Sequence, residues 1–260
     1  MNVLGTDRSK DSIAGRRYWV VGASSGIGAA LANELRRRGA TVAISARRAD
    51  DLDQVSAGRM TTVTLDATDP EAVVLAAKKV RDRLGGIDAV VWSAGFWKQF
   101  DAKTWDREVF AQHVEVNLLG LNNLLAAVLP EMVRTRSGHV IGIASVAGYR
   151  GLSGAEAYGA TKAAQLYLLE AMRASLSHKG VRVTTVAPGF VRTEMTEGNT
   201  FPMPFLIDPE QAATAIADGL EGRKPEIVFP LPMTLIMKTA HVLPVRLWSA
   251  LSSRMGKKSG

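Results

Sequence analysis

The chain has 260 residues, 47% of them apolar, a mean hydropathy of +0.04 and no cysteine. That size and balance suit one large domain with a well-covered core, while the missing thiols exclude disulfides, thiolate nucleophiles and cysteine-ligated zinc. The formal charge of +7 and pI near 9.8 invite a nucleic-acid reading, but the basic residues are spread along the chain without a zinc finger, an RNP-type motif or a dense basic arm, so no nucleic-acid partner is expected.

Residues 1–12 are polar and charged, with neither the apolar core nor the cleavage pattern of a secretion signal, and a cytoplasmic location is expected. Beyond them, β-type runs at 18–21, 41–45, 61–65, 89–92, 140–144, 183–186 and 227–229 alternate with helix-period segments at 29–38, 50–57, 70–84, 106–134, 156–178 and 209–220. This rhythm predicts an α/β fold, a doubly wound and mostly parallel sheet with helices on both faces. No repeat or linker interrupts 1–260, which reads as a single domain.

The first run leads into Gly22-Ala23-Ser24-Ser25-Gly26-Ile27-Gly28 and then into a helix. A strand passing through a glycine turn into a helix N-terminus lets backbone N–H groups approach a pyrophosphate, whose charge the helix dipole favours. The ligand expected there is a dinucleotide. Arg47 and Arg48 follow the second run, where such a fold places residues near the adenosine ribose, and position 46 is Ala. An acid would select NAD at that place, whereas arginine accommodates the 2′-phosphate of NADP(H), the expected cofactor; the other reading has Arg47 capping the strand in solvent.

Ser145 ends the apolar run at 140–144, and thirteen residues later come Tyr158 and Lys162, four apart on one helical face. A phenol beside a fixed ammonium can lose its proton below the usual pKa of roughly 10, which makes a proton donor and acceptor usable near neutral pH. The histidines at 113, 139, 178 and 241 have no metal-ligand spacing, and no metal is expected.

Residues 230–260 carry no acid, while Lys238, Arg246, Arg254, Lys257 and Lys258 alternate with apolar residues and Trp248. This apolar, basic extension reads in two ways: a terminal segment closing the pocket or pairing subunits, or an amphipathic segment in peripheral contact with a membrane surface. Charges and Pro244 interrupt it, so it is not a span.

Taken together, the glycine turn, Ser145, Tyr158-x-x-x-Lys162 and Pro188-Gly189 resemble the short-chain dehydrogenase/reductase family, in order and spacing, from about residue 14 to about 229. The resemblance implies a Rossmann-type sheet and a catalytic tetrad of Asn117, Ser145, Tyr158 and Lys162, with Asn117 holding a water that reconnects Lys162 to solvent. It further places Asp66 and Ala67 at the adenine, Ser93, Ala94 and Gly95 along the cofactor, and Tyr158 and Lys162 against the cofactor as well, with the Lys162 ammonium on the nicotinamide ribose. Pro188, Gly189, Val191 and Thr193 would lie near the nicotinamide, and 194–208, with its apolar run 201–206, would be a substrate lid. Two residues depart from the family pattern: Val21 where Thr is usual and Ser93 where Asn is usual. The expected activity is NADPH-dependent reduction of a ketone or aldehyde, apolar or lipid-like, in a homo-oligomeric dimer or tetramer. The alternatives are an NADP-linked alcohol or hydroxysteroid dehydrogenase, and a non-enzymatic dinucleotide-binding or membrane-associated protein. Pro230 and Pro232 cut the last strand short, which puts the family's usual subunit contact in question.

Overall fold

The computed structural model describes residues 11–199 and 201–256. Seven strands, β1 (Arg17–Val21), β2 (Thr41–Ala46), β3 (Thr61–Thr64), β4 (Ala89–Trp92), β5 (Gly138–Ile143), β6 (Val181–Pro188) and β7 (Glu226–Phe229), form one sheet in the order β3-β2-β1-β4-β5-β6-β7. Every adjacent pair is parallel, so helices must return the chain each time and both faces are covered.

Side-chain alternation along β1 shows how the two cores arise. Tyr18 and Val20 join Leu31 and Leu35 of α1 (Gly26–Arg37), Leu52 of α2 (Ala49–Ser56) and Ile216 of α8 (Pro209–Glu221) on one face. Trp19 and Val21 point the other way, to Val73 and Val80 of α3 (Pro70–Leu84), Leu121 and Leu124 of α5 (Gly120–Thr135), and Leu169 of α6 (Glu156–Leu176). Strand order reverses between β1's neighbours β2 and β4. The crevice beyond the C-terminal ends of the strands is therefore open at that point, where open α/β sheets bind ligands.

Two boundaries differ from the sequence reading in ways that matter. α1 begins at Gly26, three residues before the expected start, so the second half of the glycine turn is already the helix's first turn. The helix expected over 106–134 runs as α4 (Arg107–Val114), a π turn (Glu115–Leu119) and α5. Its 107–135 span is long and apolar enough to cross a membrane, yet Leu121, Leu124, Leu125, Val128 and Met132 are buried in the core, which accounts for that composition.

The C-terminal extension forms two helices, α9 (Leu231–Val242) and α10 (Val245–Gly256), divided at Pro244. Met233 and Met237 pack with Val146, Ala187, Tyr149 and Phe190. Trp248 Nε1 donates to the Gly151 carbonyl at 2.7 Å, Arg150 Nη2 donates to the Leu243 carbonyl at 2.9 Å, and His241 Nδ1 donates to the Tyr149 carbonyl at 2.8 Å. One face of the extension thus closes over the segment that follows Ser145. Leu231, Leu235, Ile236, Val242, Val245 and Leu247 point outward and are exposed; Lys257 and Lys258 lie outside the described residues.

Candidate active site

The glycine turn is built by close backbone approach. Gly22 has φ +88° and its N–H donates to the Ser45 carbonyl at 2.7 Å; a Cβ there would collide with the backbone nitrogen of Ala94. A Cβ at Gly28 would collide with the Gly22 carbonyl oxygen. These contacts draw β1, the start of α1 and the Ser93-Ala94 segment after β4 into one floor. Ser25, the N-cap of α1, makes no side-chain capping bond, and no acid occupies the first turn, so the helix start keeps donors for an anion.

Beside it, Arg48 Nη2 donates to Glu194 Oε2 at 2.9 Å and lies 3.4 Å from Ser24 Oγ, while Ser25 Oγ lies 3.4 Å from the same Glu194 oxygen. A carboxylate is therefore accommodated among Arg48, Ser25 and the start of α1, and the residues present fit a dinucleotide phosphate. Arg48, rather than Arg47, is the arginine engaged at the turn. Arg47 is exposed, and its charge adds to the bonds from Thr68 that hold the Asp66 carboxyl below its usual range, the Thr68 backbone being the largest cause. Asn123 Nδ2 fixes this segment by donating to the carbonyls of Ala67 and Thr68 at 3.1 and 3.2 Å.

Further along the cleft, Thr193 lies against Gly26, with Cγ2 2.9 Å from where a Cβ would stand. Thr193 caps α7 (Glu194–Glu197), and Val191 bridges to Ile207, which ties the Pro188-Gly189 end of β6 to the far end of the 194–208 segment. Gly95 stands beside Met195, the Asn117 side chain and the Lys162 ammonium. These contacts bring the glycine turn, Ser93-Ala94-Gly95, Thr193, Met195, Asn117 and Lys162 into one region beyond the C-terminal ends of β1 and β4.

At its inner end are Ser145, Tyr158, Lys162 and Asn117. Ser145 leaves β5 in extended conformation; its Oγ accepts from the Ala147 N–H at 3.1 Å, and the side chain stands beside the Tyr158 phenol, whose pKa it lowers. The Lys162 Nζ is 5.5 Å from the Tyr158 ring centroid and donates to the Ile143 carbonyl at 2.9 Å and to Gln165 Oε1 at 3.1 Å. Asn117 is 0% exposed; its Oδ1 accepts from Phe96 N–H at 2.6 Å, and its Nδ2 donates to the Phe96 carbonyl and Thr161 Oγ1, each at 3.0 Å. These bonds to residues outside its own helix hold Asn117 inward, and they fall where the α-helical ladder widens to a π turn.

The expected lowering of the tyrosine pKa is not what the pair shows by itself. Burial pushes the Tyr158 phenol up to about 12, partly offset by Ser145, and pushes the Lys162 ammonium down to about 7. Desolvation outweighs mutual help here because the lysine's hydrogen-bond partners are neutral oxygens.

Sequence reasoning missed several neighbours. Trp97 packs edge-on to Tyr158 at 5.2 Å and to Phe201 at 6.3 Å, and its Nε1 donates to Asn199 Oδ1 at 2.9 Å, so it joins the 194–208 segment to the tyrosine. His113 is buried 6.4 Å from the Tyr158 ring; Nδ1 donates to the Val109 carbonyl at 2.8 Å and Nε2 accepts from Lys98 N–H at 3.3 Å. That pairing fixes a neutral ring, and burial lowers its pKa. Trp97, two residues past Gly95, and Gln165, a polar residue one turn beyond Lys162, carried positional signals that could have found them. Among the described residues no group of side chains could hold a metal ion.

A family model described as short chain dehydrogenase matches residues 17–201. An uncharacterized oxidoreductase of Myxococcus xanthus is 38% identical over 246 residues, covering 92% of this chain and 97% of the relative. A 3-oxoacyl-(acyl-carrier-protein) reductase of Vibrio cholerae is 32% identical, covering 79% and 90%. Among solved structures, a short chain dehydrogenase from Burkholderia cenocepacia in complex with NADP is similar at a TM-score of 0.81 and 29% identity, over 94% of this chain and 99% of that one.

Proposed function

We propose, from the premise that this chain belongs to the short-chain dehydrogenase/reductase family of oxidoreductases, that it reduces an apolar ketone or aldehyde with NADPH. The observation that carries this reading is the buried grouping of Tyr158 with Ser145 and Lys162, together with an uncapped helix start beside Arg48. Bound NADPH supplies the hydride. The glycine turn and α1 start would hold its pyrophosphate, Arg47 and Arg48 its 2′-phosphate, and Asp66 and Ala67 its adenine. Ser93, Ala94, Gly95, Pro188, Gly189, Val191 and Thr193 would line its nicotinamide half.

On the substrate side, Ser145 donates to the carbonyl oxygen and fixes its position, so negative charge developing there meets a donor already in place. Tyr158 then gives its proton to that oxygen. A phenol pushed up to about 12 is fully protonated at neutral pH and is ready as the acid. Lys162, in its ammonium form, stabilises the phenolate left behind, and Asn117 fixes the floor by binding Phe96. The aromatic wall of Trp97, Phe201 and Phe190 suits an apolar substrate, since burying apolar surface gains about 25 cal/mol per Å². The same residues serve alcohol oxidation with NADP by reversal.

Cofactor choice tests the reading. NADPH is expected to bind more tightly than NADH, and Arg47→Ala to narrow the gap by about 1–3 kcal/mol, the loss of a charge-assisted phosphate contact. Equal affinities in wild type, measured by titration of both cofactors, would contradict it.

The C-terminal extension acts, in this account, as a cover over residues 149–151, with homo-oligomer contacts or a membrane surface available to its outward apolar stripe. Trp248→Ala should lower the melting temperature, through about 3–5 kcal/mol of lost packing for a buried Trp, and should alter substrate affinity without lipid dependence. Salt-sensitive co-sedimentation of wild type with anionic liposomes, lost on deletion of residues 231–260 while soluble-ketone activity persists, would favour membrane contact instead.

A further inference from the structure

We infer that Gln165 positions the Lys162 ammonium and joins it to the backbone of Asn117, a role that rests on the carbonyl-reduction reading. Gln165 lies one turn beyond Lys162 on the inward face of α6 and is 1% exposed. Its Oε1 accepts from Lys162 Nζ at 3.1 Å while its Nε2 donates to the Asn117 carbonyl at 2.5 Å. The two partners settle which way the amide faces. An ammonium has only donors and a carbonyl only acceptors, so the reversed amide would set donor against donor and acceptor against acceptor.

Lys162 is thereby held from two elements, by the Ile143 carbonyl at the end of β5 and by Gln165 on its own helix. The Gln165 side chain links Lys162 to the backbone of Asn117. A carboxamide fixes charge and orientation but does not readily pass a proton, because it would have to become an imidic acid. Gln165 therefore sets how firmly the ammonium is held, and the phenolate of Tyr158 depends on that. Tyr158, with its ring 5.5 Å from Nζ, is the titratable group facing the ammonium; Ile143, Gln165, Asn117 and Ser145 present only neutral atoms, and His113 beyond Tyr158 is a neutral ring.

Gln165→Met keeps length and bulk while removing both amide functions. In the purified full chain, kcat for alcohol oxidation by NADP at neutral pH is expected to fall about tenfold or more, the loss of a hydrogen bond to a charged group. The acid limb of the pH profile should move to higher pH, because a less firmly held ammonium is neutral at lower pH and leaves the phenolate without its partner. KM for the alcohol should change little. A purely structural glutamine would lower the melting temperature and leave the pH profile in place, and an unshifted profile in the folded variant overturns the inference. If the variant does not fold, lysine-¹⁵N NMR of wild type decides: ammonium protons of Lys162 in contact with the Gln165 side chain support the bridge, and their absence overturns it. Wild type inert toward every ketone and alcohol would defeat the carbonyl-reduction reading instead, and the NMR contact would still report on the bridge.

Discussion

Tyr158→Phe should lose about 10²–10⁴-fold in turnover, the usual contribution of a positioned acid, while NADPH affinity stays close to wild type. The change removes one hydroxyl beside Ser145 and leaves the ring, its contact with Trp97 at 5.2 Å and the cofactor floor in place. Loss confined to kcat is the signature of a group acting on the substrate oxygen. Lys162→Ala should behave differently and damage turnover and cofactor affinity together, because the resemblance gives the ammonium a hydrogen bond to the nicotinamide ribose in addition to its part beside Tyr158. Steady-state kinetics with parallel NADPH titrations check this pair. A Tyr158→Phe enzyme with wild-type turnover would remove the tyrosine from the mechanism.

Gly22→Ala should abolish dinucleotide binding and weaken the fold. At φ +88° an L side chain is strained, at roughly 1–2 kcal/mol, and the new Cβ would strike the Ala94 backbone, adding overpacking of about 1–3 kcal/mol. Neither neighbour is a flexible side-chain end that could swing aside, so the turn itself must move away from Ser93-Ala94. Thermal melts and NADPH titration read the two consequences. A variant that binds NADPH as wild type does would show that the close approach of these segments is not needed.

The alternation of strands and helices was legible because a parallel sheet buried on both faces demands continuous apolar runs such as Ala89–Trp92, separated by helix-period segments. The glycine turn and Tyr158-x-x-x-Lys162 were legible because their chemistry fixes residue type at short spacing. What escaped depends on distant contacts. The π turn at Glu115–Leu119 falls where Asn117 is bound to Phe96 and Thr161, and helical periodicity contains no trace of either bond. Arg48 is separated from its partner Glu194 by 146 residues, so sequence position could not show which of the two adjacent arginines meets that carboxylate. The expected pKa shift failed for a related reason: spacing shows that Tyr158 and Lys162 share a face, but only the folded interior shows how thoroughly both are desolvated. The extension reads from sequence either as a pocket cover or subunit contact or as a membrane-surface segment, and the structure gives it an inward face at Met233, Met237 and Trp248 and an outward stripe at Leu231, Leu235 and Val242.

The most direct test of the central claim is NADPH oxidation by the purified chain against a panel of apolar and polar ketones and aldehydes, with the alcohol product quantified in parallel. Consumption of NADPH matched one for one by alcohol is expected, faster with apolar carbonyls and with NADPH than with NADH. No turnover of any carbonyl by a folded protein that binds NADPH would contradict it.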